Sequence, residues 1–428
     1  LRVQLRLGHR TTAAAALAIA LFAPSPAPAQ VVEADTAHTI YYENPTKTNM
    51  FVYSPSADLQ ARPWEWLAVR GGWEADIVSG ASVAVKAGPA YARSQPAADV
   101  ITTASVKDVR NVGRWGLTVK KDAVTFDGGY SYSTENDYKS HTFNVSARTE
   151  LFEHNTQLQI DYARNFDMVC DRVQSAQDPP SRHRALEDSR GCWTGGKDPL
   201  RTTRGVAIDN FQGTWSQAWT PVFQTQLIYT LQVANGFQSN PYRAVMLGQG
   251  TKAQEHHPEN RSRQSFALRG ALFLRPLKAA LRLGLRGYWD TWDVTSGTVE
   301  LDFEKYVTER LRLTLRGRVY KQTGALFWSD DYTGGDPPLG PKGQYWTGDR
   351  ELSPFYSIAG GARMSYAVAT NDKGKVLGFL QALRLGAAFD LLHFEYESYT
   401  LGIDAQGQPI GVGNANAFII GLNLNAAF

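Results

Sequence analysis

Between Lys278 and Thr323, apolar and polar residues alternate in three successive runs. Leu281, Leu283, Leu285, Gly287 and Trp289 share one parity, and Arg282, Arg286, Tyr288 and Asp290 the other. Val299, Leu301 and Phe303 then alternate with Glu300, Asp302 and Glu304. Leu311, Leu313, Leu315 and Val319 alternate with Arg312, Thr314, Arg316 and Arg318. A repeat of two sends successive side chains to opposite faces, so each run is a strand with one apolar and one charged face.

The same rhythm recurs along the chain. Phe51, Tyr53, Ala57 and Leu59 form one face after a turn at Pro45–Lys47, and Arg62-Pro63 is read as the next turn. Val124, Phe126, Tyr130 and Tyr132 oppose Asp127, Ser131, Ser133 and Glu135; Leu158, Ile160 and Tyr162 oppose Gln157, Gln159 and Asp161. From Gly205 to Trp219 the apolar parity shifts near Asn210, which predicts a bulge. Leu377 to about Thr400 reads as one unusually long strand. Four stretches lack alternation and read as long loops: Ser79–Arg110, Met168–Thr202, Phe237–Glu259 and Ser329–Leu352. Short turns fall on the other side. About sixteen strands (14–18) with this asymmetry predict an all-β, antiparallel up-and-down transmembrane barrel with short periplasmic turns and long extracellular loops.

The ends support that reading. Arg2, Arg6 and Arg10 precede an apolar run from Thr12 to Ala23, and Ala27-Pro28-Ala29 supplies small residues for cleavage. Residues 1–29 are therefore expected to be a signal peptide and 30–428 a single barrel domain. The run is too short to span a bilayer, and no later run is long enough for a membrane helix. Phe418, Ile420, Leu422 and Leu424 alternate up to a final Phe428, which looks like the closing strand of outer-membrane barrels and the signal read by the barrel assembly machinery. The predicted location is the outer membrane of a Gram-negative bacterium, with lipid as the surrounding partner. A formal net charge of +3 and no basic groove with stacking aromatics give no case for nucleic acid.

In a membrane the charged parity must face inward, because one Arg or Lys on the lipid face costs about 2–4 kcal/mol near the midplane. Arg269, Arg282, Arg286, Glu300, Asp302, Glu304, Arg312, Arg316 and Arg318 are thus placed in the lumen. Turn positions suggest Arg286 opposite Asp302, Glu304 opposite Arg312 and Glu300 opposite Arg316. Two readings stay open. Either these charges staple the wall, each pair contributing roughly 0.2–1 kcal/mol, or surplus arginines select a small anionic solute.

Other chemistry is weaker. Cys170 and Cys192 share one loop of an exported chain and are expected to form a disulfide. His256-His257 beside Glu259 could ligate a metal, but adjacent loop histidines are more often solvated. Asp330, Asp331, Asp336 and Asp349 lack a calcium-loop pattern. No metal and no cofactor are assigned. His141 and His393 lie within strands without a nucleophile motif, and no phosphate loop opens a helix, so the chain is not read as an enzyme.

Asp76–Ser82, Ser133–Tyr138, Asn240–Arg243, His257–Arg261, Tyr288–Asp290 and Arg318–Gln322 resemble the bacterial family grouped as domain of unknown function three-five-seven-zero, from about Thr36 to Phe428. The resemblance implies an outer-membrane barrel and supplies no activity; its gene neighbourhood hints at envelope redox or flavin handling. Its motifs place Asp76, Glu135, Asp137, Arg243 and Arg261 at an extracellular mouth. The expected function is a channel or transporter for small hydrophilic or anionic solutes. The alternatives are a loop-display protein, an envelope redox or flavin-associated barrel without a pore, and, less favoured, a barrel enzyme. Oligomeric state is left open.

Overall fold

The computed structural model describes residues 31–44, 50–80, 108–175, 186, 190–193, 198–246, 252–329, 344–369, 380–397, 400–403, 409–411 and 414–428. The stretch expected to be a signal peptide and Asp330, Asp331 and Asp336 lie outside them.

Period two becomes strand throughout. The first nine strands are β1 (Val31–Asn44), β2 (Met50–Trp64), β3 (Leu67–Gly80), β4 (Asp108–Lys121), β5 (Val124–Thr134), β6 (Tyr138–Leu151), β7 (Thr156–Arg172), β8 (Arg201–Thr220) and β9 (Phe223–Gly236). A small hairpin, β10 (Ala244–Met246) and β11 (Lys252–Gln254), interrupts the wall. The wall resumes with β12 (Asn260–Leu274), β13 (Ala279–Asp290), β14 (Thr295–Tyr306), β15 (Leu311–Gln322), β16 (Phe355–Ala369) and β17 (Ala382–Tyr396). After a second hairpin, β18 (Thr400–Ile403) and β19 (Pro409–Gly411), the wall ends on β20 (Asn414–Ala427). Sixteen antiparallel strands form one closed barrel in sequence order, β20 pairing with β1; β10–β11 and β18–β19 stand apart from it. Closure leaves no unpaired strand edge.

The outward parity is apolar and bare: Ile160 is 70% exposed, Leu315 60%, Leu422 55% and Leu301 48%. Trp64, Trp66 and Trp219 lie outward near the short turns, Trp73 and Trp115 midway along β3 and β4, and Trp289 near the loop end. A wide apolar belt with aromatic girdles is suited to lipid, not water.

Several expectations need correction. Arg62-Pro63 is no turn: β2 continues through it with a register shift between Ala61 and Trp64, and the chain reverses at Glu65-Trp66. Met168–Arg172 and Arg201-Thr202 are paired strand, not loop, because β7 and β8 outgrow the membrane belt. Of the long run from Leu377 to about Thr400, Ala382–Tyr396 is strand, and residues 377–379 and 398–399 lie outside the described residues. β8 has no bulge at Asn210; its irregularity lies between Ala218 and Thr220. The parity weakens there for another reason. Asp209 faces outward and pairs with Arg164 of β7 at 3.4 Å, while the Tyr162 hydroxyl donates to it at 2.6 Å. This ion pair is an exception to the rule that charge faces inward.

The register of the central strands also differs. Arg282 lies opposite Asp302 and Arg286 opposite Thr298; Glu300 faces Arg318, Asp302 faces Arg316, and Glu304 faces Thr314. The turns explain it. The Asp290 carboxylate accepts the N–H groups of Trp292 (2.9 Å) and Val294 (3.0 Å), and Asp293 takes φ 64°, which centres the first turn on Trp292. Thr308 Oγ1 accepts from the N–H of Leu311 at 2.9 Å, centring the second turn on Glu309. Asx and Ser/Thr turns of this kind are local side-chain choices.

Candidate functional site

The lumen is lined by the polar parity of every strand and carries two charge networks on opposite walls. On β12–β17, Glu304 bridges Arg282 (3.1 Å) and Arg312 (3.6 Å). Arg318 meets Glu300 at 3.4 Å, and Arg316 reaches past β16 to Asp390 of β17 at 3.5 Å. That reach passes over Gly361, where a Cβ would lie 1.9 Å from the Asp390 carboxylate. Asp302 takes no ion pair among the described residues. Arg269, Arg286, Arg363 and Arg384 likewise have no carboxylate within ion-pair distance there. Arg269, Arg282, Arg316 and Arg363 line one cavity of about 550 Å³.

The facing wall holds a network that alternation alone did not reveal. Arg114 joins Asp58 (3.1 Å) and Glu74 (2.7 Å), Arg70 meets Asp127 at 3.2 Å, and Arg110 gathers Asp76, Glu74 and Glu135. Asp127 and Glu135 were legible as lumen-facing, whereas Arg110, at the end of a stretch read as loop, is paired strand in β4. Their contact depends on strand register and on long arginines crossing a glycine, as Arg114 does at Gly72.

At the loop end, residues 237–246, 252–259 and 344–353 fold together into a lobe over the mouth. Gly236, at φ 120°, turns the chain out of β9 into it. The lobe core is Val245, Ala253 and a fully buried Trp346, whose indole donates to Gln254 O at 2.7 Å. A second cluster, Trp292, Val294, Ala325, Phe327 and Leu352, seats it on the barrel. Arg350 forms a buried two-point pair with Glu43 of β1 and ties the lobe to the wall. Cys170, at the end of β7, is bonded to Cys192 as expected.

Inside the lobe His257 is buried rather than solvated, and His256 is half-buried, bridging to Trp346 by backbone hydrogen bonds of 3.0 Å. Asp349, considered above as a calcium ligand, is paired with Arg243 at 2.5 Å. Arg243 also lies 3.9 Å from Glu255, which accepts from Thr347 Oγ1 at 2.8 Å. Burial pushes the Glu255 carboxyl up to about 7, and burial pushes His257 down to about 4. Burial also opposes ionisation of Asp349, but Arg243 outweighs it and holds that carboxyl below its usual range. With Arg243 so placed, this cluster is poor ground for a metal cation. Among the described residues no three His, Cys, Asp or Glu side chains are grouped to hold one.

Under the lobe lies a vestibule of about 760 Å³. Of the predicted mouth residues, Glu135, Asp137 and Arg261 line it, together with Arg110, Asp167 and His257. Asp76 stands just below, on Arg110. Arg243 is withdrawn into the lobe behind Asp349. Arg261 pairs with Asp290 at 2.5 Å and stacks 4.0 Å over Trp292.

The family profile described as "Protein of unknown function (DUF3570)" matches residues 9–378. The chain belongs to this family. The match begins before the resemblance read from the sequence and stops short of β17 and β20. Among solved structures, a bacterial polysaccharide outer membrane secretin is 7% identical with a TM-score of 0.46, covering 93% of this chain and 97% of its own. The ferric enterobactin receptor PfeA from Pseudomonas aeruginosa is 12% identical with a TM-score of 0.43; the match covers 88% of this chain and 56% of the receptor. A BenF-like porin from Pseudomonas fluorescens Pf-5 is 9% identical with a TM-score of 0.41, covering 93% and 99%. Among curated proteins none matches.

Proposed function

We propose that this family member is an outer-membrane barrel of a Gram-negative bacterium whose lumen passes small hydrophilic solutes, anions preferentially. The apolar outer face supports residence in a bilayer. Phe428, whose N–H bonds to Val32 O beside the closing seam, is proposed as the signal to the assembly machinery. The preference for anions rests on one observation: Arg269, Arg286, Arg363 and Arg384 face the lumen without carboxylate partners among the described residues. Charged walls of one sign bias which ions enter a pore.

The test is planar-bilayer recording under a KCl gradient. The expected result is an anion-selective current whose reversal potential moves toward the cation side in the double variant Arg269→Ala, Arg363→Ala. Absence of current in correctly folded barrels would refute a pore. Current with unchanged selectivity would reduce the arginines to wall staples. The packed lobe favours a second reading, a barrel that displays a binding surface; deletion of residues 244–254 would then abolish partner capture and leave conductance as it was.

A further inference from the structure

One row of lumen side chains takes no part in the ion-pair networks. Cross-strand pairing sets Gln157, Ser216, Gln226 and Arg269 side by side on β7, β8, β9 and β12. All four line the cavity of about 550 Å³, and Arg363 borders it from β16. Neighbouring strands lie about 4.8 Å apart, so the row covers about 14 Å of wall from Gln157 to Arg269. Gln157 and Arg269 make no side-chain hydrogen bond among the described residues. Gln226 Nε2 donates to Ser216 Oγ at 3.2 Å, which leaves the Ser216 O–H and Gln226 Oε1 for a ligand. Arg286 has no such surface on that side, where Ala267 and then Ile228 follow it.

The charge of the cavity narrows the ligand further. Arg282 is paired with Glu304, Arg316 with Asp390, and Glu300 with Arg318. Arg269, Arg363 and Asp302 remain without ion pairs among the described residues, and two positive charges against one negative leave one positive. That surplus matches a single carboxylate. An inorganic anion would need the arginines alone. Amide and hydroxyl side chains both donate and accept, which suits a solute that carries hydroxyl groups as well. We propose that this row binds a polyhydroxylated monocarboxylate, a sugar acid, with its carboxylate on Arg269 and its hydroxyls along Gln226, Ser216 and Gln157. The assignment rests on the reading of the lumen as an anion path and names the class of solute.

The test is isothermal titration of the full chain in detergent micelles with gluconate. Hexanoate supplies the carboxylate alone and sorbitol the hydroxyls alone. Gluconate is expected to bind saturably, at least about fivefold more tightly than hexanoate, with sorbitol weaker still. Arg269→Gln should weaken both acids. Gln157→Leu, Gln226→Leu should weaken gluconate by about fivefold or more and leave hexanoate as it was, a split that loss of structure would not produce. Heat-modifiable gel migration verifies that each variant is folded. Equal affinity for the two acids, no saturable heat from gluconate, or wild-type gluconate affinity in folded Gln157→Leu, Gln226→Leu would overturn the assignment. Titration needs no current, so the site and the pore can fail separately. Gluconate binding by a barrel that carries no KCl current would support the row and refute passage; anion-selective current without gluconate binding would refute the row and support passage.

Discussion

Removing Arg350 should release the lobe from the barrel. Arg350 donates twice to Glu43, and Glu43 is 1% exposed at the end of β1. In Arg350→Ala that carboxylate keeps, among the side-chain donors of the described residues, only the Tyr41 hydroxyl at 2.8 Å. Breaking a buried pair by deleting one partner costs about 3–5 kcal/mol, because the remaining charge is stranded. At about 1.4 kcal/mol per tenfold, the open population of the lobe should rise at least a hundredfold. Amide exchange reads this directly. The Trp346 N–H, bonded to His256 O, should lose about two orders of magnitude of protection, whereas strand amides of β13 and β14 should not change. The paired replacement Glu43→Gln, Arg350→Met should restore most of the protection, since an uncharged pair of similar volume strands nothing. Unchanged Trp346 protection in Arg350→Ala would refute the claim that this pair holds the lobe down.

Three further outcomes follow from the same structure. Asp209→Ala leaves Arg164 unpaired toward lipid midway along β7 and should cost about 2–4 kcal/mol; Arg164→Ala, Asp209→Ala should recover it in urea unfolding from vesicles. Opening the Cys170–Cys192 bond, whose sequence separation is 22, should remove about 3 kcal/mol of loop constraint, seen as faster proteolysis of the β7–β8 loop under reductant. The lobe's pH response follows from two opposed groups. Glu255, raised to about 7, favours the closed lobe fully below its usual 4.5 and loses that as pH rises to 7; His257, lowered to about 4, favours it above 6.5 and loses that as pH falls to 4. The two trends oppose each other between 4.5 and 6.5, so wild-type Trp346 exchange protection should vary little there. Glu255→Gln should lose protection as pH falls below 6.5, and His257→Phe should lose it as pH rises from 4.5 to 7; identical profiles for both would refute the assignment.

Alternation along the chain was enough to determine the barrel, the face that each strand turns to lipid and the inward place of Arg282, Glu300, Asp302 and Arg316. The physical reason is local: a strand's side-chain period is two whatever it pairs with, and a bilayer penalises outward charge. Tertiary structure alone decided who meets whom. A one-residue change in a turn's centre shifts every cross-strand pair by two, so the Asp290 and Thr308 turns set Glu300 against Arg318 and not against Arg316. It also decided the exception, since Asp209 can face outward only because Arg164 of the next strand lies beside it. The lobe was least legible. Residues 237–259 and 344–353 carry no sustained period, and the order of the described ones comes from contacts across the mouth, such as Arg243 with Asp349 and Arg350 with Glu43, more than ninety residues apart in the chain.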